Sequence, residues 1–191
     1  MIKDKNIKYK FKTEFFPVTS FNSFIGTAAS QSMAGNLVEA GTDNGYSALE
    51  MNNNDDIARL VMPIPSHWDT ANNILFRVLY VQETGSFNPV TYAVKFKQSA
   101  FGAAISGADD GGELDTPIPN DISTGSDALD ATAWGTMNGG TLLGANDVVC
   151  FDIKSVNGTD VVTQLVGFEV AYMPKFTDGP QHAAATVPTD A

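Results

Sequence analysis

Three observations on this 191-residue chain predict an all-β fold, an antiparallel β-sandwich of the jelly-roll kind with extended N- and C-terminal arms. Turn formers are abundant: Gly occupies 17 positions, and Asn, Thr and Ser recur throughout, a composition that cuts a chain into short strands. Apolar residues alternate at period two in several windows, while windows rich in Ala, Leu, Glu and Lys at helical spacing are absent. Long loop-like tracts join the longer strands, which favours a jelly roll among β-sandwiches. The length suits one domain with a sizeable core. We place it at residues 13–175, between a basic arm at 1–12 and an irregular tail at 176–191.

The arm alternates Lys with Ile, Tyr and Phe, most plainly in "IKYKFK". Such a pattern suits either an edge strand guarded by lysine or an extended segment that docks on an acidic partner. Its candidate partner-binding residues are Lys3, Lys5, Lys8, Lys10 and Lys12, five of the chain's eleven cations. With Asp4 they leave the arm at +4, so a chain of net charge −11 has a body at −15. An anionic body of this size argues against non-specific nucleic-acid binding. The first residues lack the apolar segment of a secretory signal, and no run is long enough to span a bilayer. Synthesis in a cytoplasm and a soluble product are therefore expected, with no membrane partner.

"EFFPVTSFNSFIG" supplies the first core strand, and "SALEM" a short one within a polar, Gly-punctuated tract. "DIARLVMPIP" is a strand that must end, or lie at an edge, where Pro63 and Pro65 remove ladder donors. "SHWD" makes a corner, with Asp69 as an N-cap or Asx-turn residue and Trp68 covering one end of the core. "NILFRVLYV" is apolar on both faces, as a central strand is. "PVTYAVKFKQ" alternates, with Val90, Tyr92, Val94 and Phe96 facing one way. The "TGSFN" spacer between these two runs has the length of a hairpin loop. "LDATAWGTM" contributes another strand anchored by Trp134. "DVVCFDIK" is a buried strand with Cys150 as a small core residue. "NGTD" is a tight turn, and its Asn157 acceptor motif reads as a hairpin turn. It leads into "VVTQLVGFEVAYMP", where Val162, Val166, Phe168, Val170 and Tyr172 alternate with Leu165, Gly167, Glu169 and Ala171. That makes about eight strands.

Candidate chemistry is sparse. One cysteine and two distant histidines, His67 and His182, make neither a zinc site nor a nucleophile with its base. The acidic run Asp109, Asp110, Glu113 and Asp115 fails the EF-hand pattern and reads as a solvated loop, with calcium the one metal its oxygens suit. Of the acids, Glu169 and Asp152 fall on strands, where a lone carboxylate on an outward face is normally just solvated. No phosphate-binding Gly loop precedes a helix. We expect no catalytic residue, no cofactor and no enzyme activity.

The succession "VMPIPSHWDTANNILFRVLYV", "PVTYAVKFKQ" and "GANDVVCFDIKSV…NGTDVVTQLVGFEVAYMP" resembles the β-sandwich modules of accessory virion proteins of tailed bacteriophages. The features are an apolar strand ending in Ile-Pro before a Trp-Asp corner, and a final Val-Gly-Phe-Glu-Val-x-Tyr strand. The resemblance covers roughly residues 57–175 and implies a structural jelly-roll protein, a homotrimer, on the capsid surface. There it would bind the major capsid protein and reinforce contacts between shell subunits, as decoration or cement proteins do. A fibre shaft is disfavoured because heptads and shaft repeats are absent. The competing reading is a head- or tail-fibre knob that binds a host receptor or carbohydrate through exposed aromatics such as Trp134, Phe101 or Tyr46.

Overall fold

The computed structural model describes residues 11–25, 37–39, 47–51, 56–82, 90–99, 117–119, 129–137, 147–156 and 163–175. In chain order the strands are β1 (Lys12–Pro17), β2 (Asn22–Ile25), β3 (Leu37–Glu39), β4 (Ser47–Met51), β5 (Asp56–Pro63) and β6 (Ile74–Gln82). Then come β7 (Thr91–Ser99), β8 (Pro117–Pro119), β9 (Leu129–Ala131), β10 (Gly135–Met137), β11 (Val148–Ser155) and β12 (Thr163–Tyr172). Every pairing is antiparallel. Sheet A runs β10–β6–β12–β4–β3, with β1 also on β12 and β9 also on β6; sheet B runs β2–β5–β11–β7–β8. The two sheets face each other across one core, which makes the molecule a jelly-roll β-sandwich.

Burial follows the pleat. Ile74, Phe76, Val78 and Tyr80 of β6 meet Val149, Phe151 and Ile153 of β11 and Tyr92, Val94 and Phe96 of β7 in a single core. At its centre the Phe151 ring of sheet B sits 5.8 Å from Phe76 and 5.0 Å from Phe168, both of sheet A. Tilted ring contacts of this kind add to the area they bury.

The corner after β5 behaves as its residues require. The strand stops at Pro63, and Ile64 N–H donates to Asp147 O instead. Asp69 Oδ1 accepts the Ala71 N–H at 3.1 Å, an Asx turn, and Oδ2 accepts from Asn72 Nδ2 at 2.8 Å. Trp68 is buried, with its indole N–H on Asn72 O at 3.1 Å. The corner is fastened to the end of β12: Asp69 N–H donates to Met173 O, Lys175 N–H to His67 O, and Trp68 bridges Pro174.

Several sequence expectations need correction. The described residues hold twelve strands, because "EFFPVTSFNSFIG" makes two, in different sheets, around a 3-10 turn at Val18–Ser20, and short pieces at 37–39, 117–119 and 129–137 also pair. β6 and β7 lie in opposite sheets, as do β11 and β12, so neither spacer is a hairpin. Sheets pack roughly 10 Å apart, a gap that a few residues cross as readily as they reverse a strand. Cys150 is not in the core: Val149, Phe151 and Ile153 point inward and Cys150 outward, half-buried on the outer face of sheet B. Its Sγ lies 3.9 Å from Asp152 Oδ1.

In β12 the strict alternation breaks. The register to β6 shifts between Leu165 and Gly167, a β-bulge that inserts Val166. One extra residue reverses parity. Leu165 therefore joins Phe168, Val170 and Tyr172 in the core, while Val166 packs with Ala48 and Val81 in a separate small cluster.

Candidate functional site

The outer face of sheet A carries a row of four side chains contributed by four separate segments. Phe15 on β1 pairs in register with Glu169 on β12, and Glu169 with Arg77 on β6. Trp134, in the link between β9 and β10, lies over the Arg77 guanidinium, 4.5 Å from it to the ring centroid. The order across the sheet is aromatic, acid, base, aromatic. Adjacent strands are about 4.8 Å apart, so the Phe15 and Arg77 backbones stand roughly 10 Å apart across β12.

Each member is held by its neighbours. Arg77 Nε donates to Glu169 Oε2 at 2.6 Å, and both side chains are mostly shielded, at 18% and 17% exposure. Shielding from water and the indole above the cation stiffen the pair beyond an ordinary surface ion pair. Phe15 is 49% exposed. Its ring lies against the Cα of Gly167, where Cε2 fills the space a Cβ would need; Cζ is 2.6 Å and Phe16 O 2.9 Å from that position. Only glycine admits the ring there. The bulge that inserts Val166 sits beside this glycine, a common way for a sheet to re-aim a side chain. Trp134 is partly exposed, yet its Nε1 is enclosed and, among the described residues, has no hydrogen-bond partner.

A second polar cluster holds β1 at the end of the sandwich. The Tyr172 hydroxyl donates to Glu14 Oε1 at 2.9 Å and lies 2.9 Å from His67 Nε2. Lys12 Nζ is 3.0 Å from Glu14 Oε1 and 5.6 Å from the Tyr172 ring centroid. Burial pushes the Glu14 carboxyl up, but the Lys12 and Tyr172 hydrogen bonds together outweigh it and hold the group below its ordinary value. Burial raises the Tyr172 hydroxyl.

Of the sequence-derived candidates, Lys12 opens β1 and is paired with Glu14. Lys3, Lys5, Lys8 and Lys10 lie outside the described residues, as do Asp109, Asp110, Glu113, Asp115, Phe101, Tyr46, Asn157 and His182. Trp134 does not sit within a strand as its anchor; it lies in the link between β9 and β10 and caps Arg77 on the outer face. The two strand carboxylates are not merely solvated. Glu169 holds Arg77, and Asp152 takes a two-pronged bond from Arg59 at 2.5 and 2.9 Å on the outer face of sheet B. Among the described residues no three His, Cys, Asp or Glu side chains converge as a metal site. Sequence reasoning missed Phe15 and Arg77. The signal for Phe15 was Gly167, since a glycine inside an otherwise apolar strand marks a bulge or a close approach.

No protein-family model matches the sequence, and no characterised protein matches it. The structure is similar to that of a xylan-binding module, CBM15, with a TM-score of 0.50 at 6% identity over 87% of this chain and 100% of that one. Lower TM-scores relate it to a CBM36 domain of a multidomain xylanase from the hindgut metagenome of Trinervitermes trinervoides (0.48, 9% identity, 83% and 96% coverage). A family 35 carbohydrate-binding module from Clostridium thermocellum is comparable (0.47, 10%, 83% and 97%). At such identities the CBM15 likeness establishes the fold, a jelly-roll β-sandwich.

Proposed function

We propose that the chain is a non-catalytic recognition module that binds carbohydrate on the outer face of sheet A. The row Phe15–Glu169–Arg77–Trp134 carries this reading. Aromatic rings suit the C–H faces of sugars, whose partial positive charge meets the negative ring face. A fixed guanidinium and carboxylate between them give directed hydrogen bonds to hydroxyls. One sandwich of the same fold is, by its name, a xylan-binding module.

A second reading, the capsid decoration protein that reinforces a phage shell, is favoured by a separate observation: five of eleven cations crowd into residues 1–12 of a chain whose net charge is −11. Weak arm contacts gain strength on a symmetric shell through multivalency. The two readings meet in a knob carried on a virion that binds a host glycan.

Affinity electrophoresis through gels loaded with soluble polysaccharides tests the first reading. Retardation by at least one polysaccharide is expected, with loss in Trp134→Ala and Phe15→Ala variants that retain the parent melting temperature. Retardation undiminished in both variants would place the site elsewhere. Quantitative mass spectrometry of purified particles tests the second: a copy number near that of the major capsid protein supports decoration, and absence removes it.

A further inference from the structure

The polar side chains that fasten β1 at the end of the sandwich converge on a single anion. We infer that β1 is an acid-released strap: protonation of Glu14 frees the strand from β12 while the rest of the sandwich stays folded.

The direction of the hydrogen bonds makes Glu14 the keystone. An ionised carboxylate can only accept, so the one proton of the Tyr172 hydroxyl goes to Glu14 Oε1, at 2.9 Å. His67 Nε2, 2.9 Å from the same hydroxyl, must then carry a hydrogen and donate it. Lys12 Nζ also reaches Oε1, at 3.0 Å. Donors from β1, from β12 and from the corner before β6 thus end on one carboxylate. The Glu14 side chain is 35% exposed, so protons from solvent reach it.

Acid reverses the charge balance of this cluster. With the imidazole neutral, Glu14 and Lys12 cancel. By the time a carboxylate is protonated an imidazole is already a cation, which leaves positive charge on Lys12 and His67 and no anion between them. The other charges of the corner do not restore the balance. The Asp69 carboxylate is taken by Ala71 N–H and Asn72 Nδ2, and Lys175, whose N–H donates to His67 O, is a further cation. Glu169 lies on the outer face of β12 and holds Arg77, and the turn Val18–Ser20 carries no charged side chain. Burial raises the Glu14 carboxyl, and the Lys12 and Tyr172 bonds lower it further, to a net value below 4.5. The strap therefore holds above that pH and lets go as pH falls through the folded pKa.

The topology confines the release to β1. Among the described residues β1 pairs with β12 and with no other strand. Without it, β12 keeps β6 along its other edge and β4 beyond the bulge. What β1 packs against the core is the partly buried Phe16, whereas the rings of Phe76, Phe151 and Phe168 meet without it. Ladder bonds of an edge strand exchange for bonds to water at modest net cost, and such segments open before the fold as a whole does. Val18, buried just past Pro17, marks where the release stops. Phe15 rides on β1, so release also dismantles one end of the outer-face row; the strap itself does not depend on what that row binds.

Hydrogen exchange of the full chain between pH 6 and pH 2, read by mass spectrometry against unstructured-peptide rates at each pH, tests the strap. Protection of residues 12–17 is expected to fall on the order of tenfold below pH 4.5, while residues 148–155 of β11 keep theirs. Glu14→Gln, with no charge to lose, is expected to protect residues 12–17 weakly at pH 6 already and to show a much smaller fall. Tyr172→Phe removes one of the donors that lower the carboxyl, so its fall is expected at higher pH than in the parent. Equal loss at β1 and β11 overturns the strap, because the sandwich then unfolds as one unit. Full protection of residues 12–17 at pH 2 overturns it as well. So does an undiminished fall in Glu14→Gln, or a fall in Tyr172→Phe at the parent's pH.

Discussion

The Tyr172 hydroxyl donates to Glu14 Oε1 across 2.9 Å and so ties β12 to β1, the last and first of the described strands. Because Phe15 is the next residue along β1, this bond sets the position of one end of the candidate glycan row. Removing the hydroxyl alone, by Tyr172→Phe, keeps the ring in the core and strips Glu14 of a donor. We expect a loss of about 1 kcal/mol, read as a lower urea midpoint at unchanged slope. Backbone amides of residues 12–17 should exchange faster, while those of β11 keep their protection.

The same cluster makes stability depend on pH at both ends of the scale. The folded pKa of Glu14 lies below its ordinary 4.5, so its contribution is complete above that value and is lost as pH falls through the lower folded pKa. Lys12, raised above 10.5 chiefly by Tyr172 and then Glu14, acts in the other direction: its contribution is complete below 10.5 and disappears as pH rises through the folded pKa. Midpoints measured from pH 2 to 8 should rise with pH over the acid limb, and that limb should be shallower in Glu14→Gln. Equal slopes in the two proteins would show that other carboxylates govern acid unfolding.

Gly167→Ala places a methyl group where the Phe15 ring lies and 2.9 Å from Phe16 O. Overpacking of this kind costs about 1–3 kcal/mol. Pairing it with Phe15→Ala clears the ring but not the backbone oxygen. The double variant should therefore regain part of the lost stability and none of the glycan binding. Full additivity of the two single effects would mean that the ring and the glycine do not interact.

Phe151→Ala removes the ring that Phe76, Phe96 and Phe168 surround. Deleting so buried an aromatic costs about 3–5 kcal/mol, whereas Phe15→Ala on the outer face should change the unfolding free energy by less than about 1 kcal/mol. The two phenylalanines thus separate stability from binding, and thermal melts with gel retardation read both.

Local features were legible in the sequence. Pro63 ends β5, Trp68 caps the core, Asp69 forms its Asx turn, and Val90, Tyr92, Val94 and Phe96 all face inward. Each follows from one residue or from a period-two pattern within a single strand. What was not legible depends on how strands meet. The Arg77–Glu169 pair joins residues 92 apart in sequence, and no pattern within β6 or β12 reveals it. The inserted Val166 reverses the inward and outward sets of β12 by one register step, which composition does not record. Links short enough for a hairpin serve as crossings between sheets, because β6 pairs with β12 in sheet A and β7 with β11 in sheet B.

The position of β12 has a consequence for how the protein is made. It pairs with β1, β4 and β6, so the centre of sheet A is the last of the described strands to leave the ribosome. Until then those three strands have synthesised edges and apolar faces but no common partner. Non-local pairing of this kind folds slowly and leaves strands open to wrong neighbours. Completion of sheet A is thereby coupled to completion of residues 163–172 during translation, and a nascent chain stalled before them would be held with half of its core unclosed.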